Sequence, residues 1–154
     1  MHNILFDTSF IEEKLTEAKY EPTLGIRLIR LATMHVSGKE IALIVIRLDP
    51  GKQLIPHMHE IDGEICFPLS KGIITLGKVI KDKNGSYNIN DDGKILVDWD
   101  IQQNLIPGQP IQIPPEVAHH LYAPTKEAVT VCFFLPSAHL DVDKKFVTFP
   151  KIER

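Results

Sequence analysis

Short apolar segments separated by turn residues dominate the chain from Gly25 onward. They are rich in Val and Ile and are bounded by Gly, Pro, Asn or Asp, a pattern typical of β-strands. The predicted strands are Ile26–Met34, Ile41–Leu48, Glu64–Leu69, Ile73–Lys81, Ser86–Ile89, Ile95–Trp99, Ile111–Ile113, His119–Ala123 and Val129–Leu135. Many short strands with turns at close intervals indicate an all-β sandwich or closed barrel rather than a parallel α/β sheet.

Two dipeptides predict tight hairpin turns within this β region. Asn84-Gly85 is the clearer one, because both residue types tolerate the positive φ that a type I′ turn requires. Asp92-Gly93 is a second turn of the same kind. The β region should therefore contain hairpins at these two points.

The segment before the β region has a helical pattern. Ser9-Phe10-Ile11-Glu12 fits a capping box, in which Ser9 would accept from a backbone N–H and Glu12 would reach back. Apolar residues recur at helical spacing up to Ala18, and Pro22 prevents continuation. We therefore predict a short helix at about 9–19 that packs on the outside of the β structure.

Length and composition favour one ordinary soluble domain. The 154 residues, with 44% hydrophobic and 24% charged residues, can bury a sizeable core. We expect a single domain over 1–154, with a barrel at about 25–136. A C-terminal extension at about 137–154 is polar with spaced apolar residues, so it should lie along the barrel surface.

Charge and hydropathy exclude several function classes. The net charge is -3 and the basic residues are scattered, so no basic patch for nucleic acid is expected. The sequence shows neither a secretory signal nor an apolar run of membrane-spanning length, which predicts a cytoplasmic protein without a membrane partner. Cys66 and Cys132 lie in apolar stretches without a C-x-x-C spacing, so we expect reduced, buried thiols.

The segment from Gly51 to Glu64 carries the strongest chemical signal. If His57 and His59 lie on a strand, its two-residue period points both imidazoles to one face. Asp62-Gly63 then supplies a turn, after which Glu64 returns a carboxylate to the same interior from a neighbouring strand. His119, which follows a proline-rich bend, is the fourth candidate ligand.

Three imidazoles and one carboxylate form a mixed nitrogen and oxygen donor set. Such a set suits Fe, Mn, Ni, Co or Zn better than an ion that prefers only oxygen ligands. Four ligands on an octahedral ion leave two positions open for water, a substrate or dioxygen. The sequence therefore predicts a divalent metal site that takes a small-molecule ligand or substrate.

The two segments resemble the paired motifs of the cupin superfamily. The first motif has one glycine, two histidines and a glutamate, and Gly51, His57, His59 and Glu64 match these positions. The motif ends on a second glycine, and Gly72 lies one residue beyond that position. Residues that fit the second motif are Gly108, Pro114 and His119. Glu116 stands where the family has glycine and Ala123 where it has asparagine, so the departures fall on turn and support positions. The resemblance implies a double-stranded β-helix, the cupin jelly-roll barrel, with His57, His59, Glu64 and His119 as metal ligands.

A narrower resemblance is to the WbuC-type cupin metalloproteins. It is carried by Leu48-Asp49-Pro50-Gly51, Pro56-His57-x-His59, Ile113-Pro114-Pro115 before His119, and Asp143-Lys144-x-Phe146. Those proteins are associated with polysaccharide biosynthesis gene clusters, and the resemblance implies that context here. Cupins also often pair, so a homodimer is expected.

Further residues are candidates for a part in catalysis. Tyr122 and Arg47 are candidates for an acid, a base or an anion anchor, with barrel packing and a surface charge as their alternatives. His120 should face away from His119 on the same strand, in a support role. Asp62 could bond a ligand imidazole, although turn chemistry also explains it. His2, His35 and His139 lack spaced partners and are expected to be ordinary polar residues.

Three functions remain open on these residues. A Zn, Mn or Ni ion could polarise a sugar or nucleotide sugar for isomerisation or epimerisation, which the polysaccharide resemblance favours. Fe(II) could instead bind dioxygen beside a small substrate, as in cupin dioxygenases. The third hypothesis is a protein that binds or senses a small ligand without converting it. Pocket residues decide among these functions, and the sequence does not place them.

Overall fold

The computed structural model describes residues 8–140 and 142–151. One helix, α1 (Thr8–Glu17), precedes the strands. The strands are β1 (Lys19–Glu21), β2 (Ile26–Val36), β3 (Lys39–Leu48), β4 (His57–His59), β5 (Glu64–Pro68), β6 (Gly72–Val79), β7 (Val97–Trp99), β8 (Gln103–Leu105), β9 (Ile111–Ile113), β10 (Val117–Tyr122), β11 (Val129–Pro136) and β12 (Lys144–Phe146). The predicted all-β class with a short N-terminal helix is confirmed.

The strands form two antiparallel sheets. The first has the order β1-β2-β3-β11-β5-β9, and the second has the order β12-β4-β10-β6-β7, with β8 also paired to β6. Apolar side chains from both sheets meet between them, among them Ile46 and Val131 from the first and Ile74 and Leu121 from the second. The main core is therefore the space enclosed by the two sheets.

The helix covers the outer face of the first sheet. Ile11 and Leu15 of α1 pack against Leu43, Val45 and Cys132, which confirms its predicted position outside the β structure. It begins at Thr8, so Ser9 lies inside the first turn rather than at the N-cap, and it ends two residues before the predicted end. Within the described residues, no helix is long and apolar enough to cross a membrane.

The predicted strand Ser86–Ile89 is wrong. This segment makes only isolated bridges, from Tyr87 to Lys81 and from Ile89 to Ile95. The preceding turn closes where predicted, but Gly85 has a φ of 80° while Asn84 is not in the positive-φ region. A type I′ turn needs positive φ at both residues, so this turn is of another type.

Side-chain oxygens organise both loops of this region. The carboxylate of Asp82 accepts from the backbone N–H groups of Asn84 and Ser86, at 2.8 and 3.0 Å. In the same way, the side-chain amide oxygen of Asn90 accepts hydrogen bonds from the backbone N–H groups of Asp92 and Lys94. These bonds compete with ladder pairing, which explains why the region contains bridges rather than a regular strand.

Short strands were missed by the sequence analysis. The strands β1, β8 and β12 have three residues each, too few to show an alternating pattern. The strand predicted at Ile95–Trp99 is likewise only Val97–Trp99. Because β12 pairs with β4, the C-terminal segment extends the second sheet instead of only lying along its surface.

The glutamate that replaces the cupin glycine occupies a left-handed backbone conformation. Glu116 has a φ of 63°, which glycine adopts at no steric cost and other residues rarely do. Its carboxylate accepts hydrogen bonds from Lys81 at 2.7 Å and from Tyr87 at 2.6 Å. These contacts tie the bend before β10 to the segment after β6.

Gly77 provides a test of the packing between β6 and β7. A Cβ at this position would lie 2.4 Å from a methyl group of Val97 and 2.9 Å from the backbone oxygen of Asp98. We expect Gly77→Ala to lower the free energy of unfolding by about 1–3 kcal/mol, because the neighbouring strand must shift. Chemical denaturation measures this change, with exposed Lys78→Ala as the control. Unchanged stability of Gly77→Ala would contradict the close approach.

Candidate metal centre

Three histidines converge through the pairing of two strands. His57 and His59 lie two residues apart on β4, so their side chains share one face. His119 on β10 lies directly opposite His57 in the antiparallel register. The ring centroids of His57 and His119 are 4.3 Å apart, and those of His57 and His59 are 5.3 Å apart. All three side chains are buried.

Glu64 approaches this cluster from the opposite sheet. It begins β5 in the first sheet, so the segment 60–63 carries the chain across the barrel rather than to a neighbouring strand. Its Oε1 lies 2.7 Å from Nε2 of His119, and its Oε2 lies 3.7 Å from Nε2 of His59. One donor atom from each of the four residues lies within 4.8 Å of the others.

Hydrogen bonds on the far side of two rings fix which nitrogen faces the cluster. The Nδ1–H of His57 donates to the backbone oxygen of Ile55 at 2.9 Å. The Nδ1–H of His59 donates to the carboxylate of Asp143 at 3.0 Å. Each bond selects the tautomer in which Nε2 keeps its lone pair, the form that binds a metal.

Electrostatics keep the donors in the protonation states that ligation requires. Burial, aided by His119, holds the pKa of His57 well below its usual value, so this ring is neutral at pH 7. Burial alone would raise the pKa of Glu64, but the neighbouring His119 outweighs it and lowers that pKa. The cluster therefore presents a carboxylate beside an imidazole with a free lone pair.

Unpaired atoms in the cluster fit a metal ion. Oε1 of Glu64 and Nε2 of His119 are buried and make no aligned hydrogen bond, although they lie only 2.7 Å apart. Buried polar atoms without partners are costly, and a cation bound by both as neighbouring ligands would satisfy them. The nitrogen and oxygen donor set suits a divalent transition metal.

Asp143 contacts the cluster, although the spacing of the candidate ligands in the sequence does not predict it. It lies next to β12, and its buried carboxylate holds both His59 and, at 3.3 Å, the backbone N–H of Asp62. Burial would raise the pKa of Asp143, but the hydrogen bond from His59 outweighs it and lowers that pKa. The signal that could have identified it is the Asp143-Lys144-x-Phe146 run, which entered only as part of the narrower resemblance.

The four candidate ligands lie at one side of a cavity of about 330 Å³. The rest of its lining is mainly apolar: Leu28, Ile44, Ile46, Leu54, Phe133, Leu135 and Leu140. Lys144 also lines it and is exposed to solvent, so it lies at the mouth. The cavity therefore combines a polar cluster, an apolar wall and one ammonium group.

Arg47 does not join the cluster. Its neighbours on β3, Ile44 and Ile46, line the cavity, whereas Arg47 faces the helix side. Its guanidinium donates to Thr130 at 2.9 Å and forms a bidentate pair with Glu12. It therefore anchors α1 to the first sheet.

Tyr122 is likewise apart from the cavity lining. It alternates with His119 and Leu121 along β10 and shares the outer side of this strand with His120. His120 points away from the cluster, as expected, and donates from Nε2 to Gln53 at 2.7 Å. The structure thus places His57, His59, Glu64 and His119 together, without Arg47 or Tyr122.

Asp62 and the two cysteines have structural partners. The carboxylate of Asp62 accepts from Nδ1–H of His139 at 2.8 Å, and its backbone N–H meets Asp143, so its link to the cluster is indirect. Cys66 and Cys132 are free and buried, as predicted. Burial raises the pKa of Cys66 to about 12 and that of Cys132 to about 11, so both are thiols at pH 7. His2 lies outside the described residues.

No family model and no curated protein sequence matches this chain. Several solved structures do match this chain. The polyketide cyclase RemF from Streptomyces resistomycificus is 18% identical with a TM-score of 0.54, over 89% of this chain and 84% of RemF. TT1209 from Thermus thermophilus is 14% identical with a TM-score of 0.54, over 81% of this chain and 92% of that protein.

A third match is to part of a longer protein. The capsular polysaccharide assembling protein CapF from Staphylococcus aureus is 13% identical with a TM-score of 0.50, over 77% of this chain but only 34% of CapF. At these identities the likenesses concern the fold alone. The chain has the fold of the cupin barrels, a double-stranded β-helix, and its buried His/Glu cluster fits a metal site inside that barrel.

Proposed function

We propose that this chain is a divalent-metal-dependent cupin enzyme that acts on a small, largely apolar molecule bearing an oxygen donor. The observation that carries the proposal is the cavity, in which His57, His59, Glu64 and His119 share one space with an apolar wall. Sites for small molecules commonly combine such a wall with a few polar groups that fix orientation.

The ligands, the apolar wall and Lys144 would each have a different role in binding. His57, His59, Glu64 and His119 would hold the metal, which supplies a Lewis acid and, as iron(II), dioxygen activation. The apolar wall would bind the body of the substrate and exclude water from the cluster. Lys144 at the mouth would attract a carboxylate or enolate oxygen toward the ligands.

The cavity favours the oxygenase hypothesis over the sugar isomerase hypothesis. A sugar carries many hydroxyl groups, each of which needs a hydrogen-bond partner when it is buried. Beyond the candidate ligands, Lys144 is the only polar side chain among the described residues that line the cavity. An apolar substrate bound beside dioxygen has no hydroxyl groups that need hydrogen-bond partners.

One observation supports the isomerase or epimerase as a second candidate. At the cavity mouth, partial loss of solvent around the ammonium group lowers the pKa of Lys144, although Glu64 opposes this effect, and a lysine with a lowered pKa can act as a base. Such a base beside a metal is what proton abstraction next to a carbonyl requires.

Non-enzymatic binding of a small ligand is the outcome if no turnover is found. The polysaccharide context, the cytoplasmic location and the homodimer stay predictions.

The first prediction concerns metal binding. We expect the purified wild-type chain to retain about one divalent ion, and His57→Ala combined with His119→Ala to retain almost none, because half of the donors are lost. Elemental analysis after exhaustive dialysis measures the stoichiometry and identifies the metal. His35→Ala removes an exposed histidine on β2 and serves as the control. Full metal content in the double variant would disprove the site.

The second prediction concerns Asp143. We expect Asp143→Asn to weaken metal binding by about 10- to 100-fold, since the hydrogen bond that orients His59 loses its charge. Competition with a chelating dye measures the dissociation constant. The exposed Asp91→Asn makes the same chemical change away from the site. Equal affinity of the two variants would show that Asp143 does not position His59.

The third prediction separates the candidate reactions. We expect iron(II)-loaded protein to consume dioxygen when given 1,3-diketones or 2-hydroxy acids, and Lys144→Met to raise KM with its metal content unchanged. An oxygen electrode and product analysis measure these effects, and Lys145→Met on the same strand is the matched control. Turnover of aldoses or nucleotide sugars without oxygen uptake would favour the isomerase instead.

A further inference from the structure

A second cavity, of about 820 Å³, lies on the outer face of the second sheet. Thr75 lines it from β6, where the flanking Ile74 and Leu76 pack into the main core. Successive residues of a strand point to opposite faces, so this cavity and the metal cluster lie on opposite sides of the sheet. Its volume is in the range of small-molecule sites.

An interruption in the sheet creates this concavity. Residues 77–79 of β6 pair with β7, and residues 72–74 pair with β8. The chain between β7 and β8, residues 100–102, leaves the ladder opposite Thr75. Gln102 lines the cavity from this segment, while Ile101 beside it is 88% exposed.

Two buried polar atoms of the cavity lining, and a third on a residue next to the lining, have no partner among the residues that the structure describes. They are Oγ1 of Thr75, Nε2 of Gln102 and Nδ1 of His120. Thr75 is 1% exposed and faces the cavity, and His120 lies beside it as its cross-strand neighbour. Each unpaired buried polar group is costly unless a ligand or water satisfies it.

Thr75 and Gln102 offer complementary hydrogen-bonding roles to a ligand. His120 is not part of the lining: its Nε2–H donates to Gln53, and its Nδ1 keeps a lone pair beside Thr75. The amide nitrogen of Gln102 donates, and the hydroxyl of Thr75 both donates and accepts. Hydroxyl groups, which also donate and accept, are the natural partners of such a set.

The walls and the rim of the cavity further restrict the class of ligand that fits it. Trp99 and Phe149 line the cavity, and the indole N–H of Trp99 is already bonded to the backbone oxygen of Thr148, so the ring offers an apolar surface. The exposed charges are Asp100 and Lys151, one carboxylate and one ammonium group, because Asp98 alternates with Trp99 along β7 and faces the other side. The site therefore has no net charge at its rim, which favours a neutral ligand, and Asp100 provides an acceptor for hydroxyl groups.

We propose that this cavity binds a neutral hydroxylated ring, that is, a sugar residue, at a site separate from the metal cluster. The ring's C–H face would lie against Trp99 and Phe149. Its hydroxyl groups would bond Thr75 and Gln102 on the floor and Asp100 at the rim.

The chain itself supplies the reporter for a test. Trp99 is the only tryptophan, so its fluorescence reports on this cavity alone. We expect methyl β-D-glucopyranoside, methyl β-D-galactopyranoside or N-acetyl-D-glucosamine to change the fluorescence of the full chain saturably. Thr75→Val keeps the side-chain shape but lacks the hydroxyl, and should weaken binding by about fivefold. Gln102→Leu should do the same, whereas Thr33→Val on β2 should not.

Independent variants separate this site from the metal centre. His57→Ala should lose metal but keep the sugar response, so failure of one proposal does not imply failure of the other. The sugar site is overturned if none of the three sugars gives a saturable change, or if Thr75→Val and Gln102→Leu bind as the wild type does. It is also overturned if phosphate or choline binds in place of the sugars, or if the response disappears in His57→Ala.

Discussion

The pairing of β4 with β10 is the interaction on which the candidate metal centre depends. It places His57 opposite His119 and gives both histidines of β4 the same face. A slip of one residue would turn these side chains toward the outer face. Because β4 has only three residues, its position also depends on β12, which pairs along its other edge. The C-terminal segment therefore fixes the register of the ligands as well as supplying Asp143.

Burial of the cluster explains much of its chemistry. Removal from water keeps His57 neutral, whereas the charge of Glu64 is retained through its neighbour His119. The same burial leaves donor atoms without hydrogen bonds, a cost that a bound cation would offset. The apolar wall beside them strengthens electrostatic interactions in the cavity, since it lowers the local dielectric constant.

The strands β6 and β10 contribute side chains to both faces of the second sheet. His119 points inward to the cluster, and His120 points outward beside Thr75. This alternation gives the proposed enzyme site and the proposed sugar site a common backbone but separate side chains.

The sequence by itself determined the all-β class, the outer helix and the four residues that meet in the cluster. Val- and Ile-rich segments, helical spacing and the two-residue period of His57 and His59 are local properties that are visible in the chain. It did not determine the strands β1, β8 and β12, the loop type at Asn84-Gly85 or the positions of Arg47 and Tyr122. Tertiary structure alone decided that Glu64 arrives from the opposite sheet and that Asp143 holds His59 across 84 positions of sequence. Those contacts depend on sheet register and closure, which couple distant residues and leave no periodic trace in the chain.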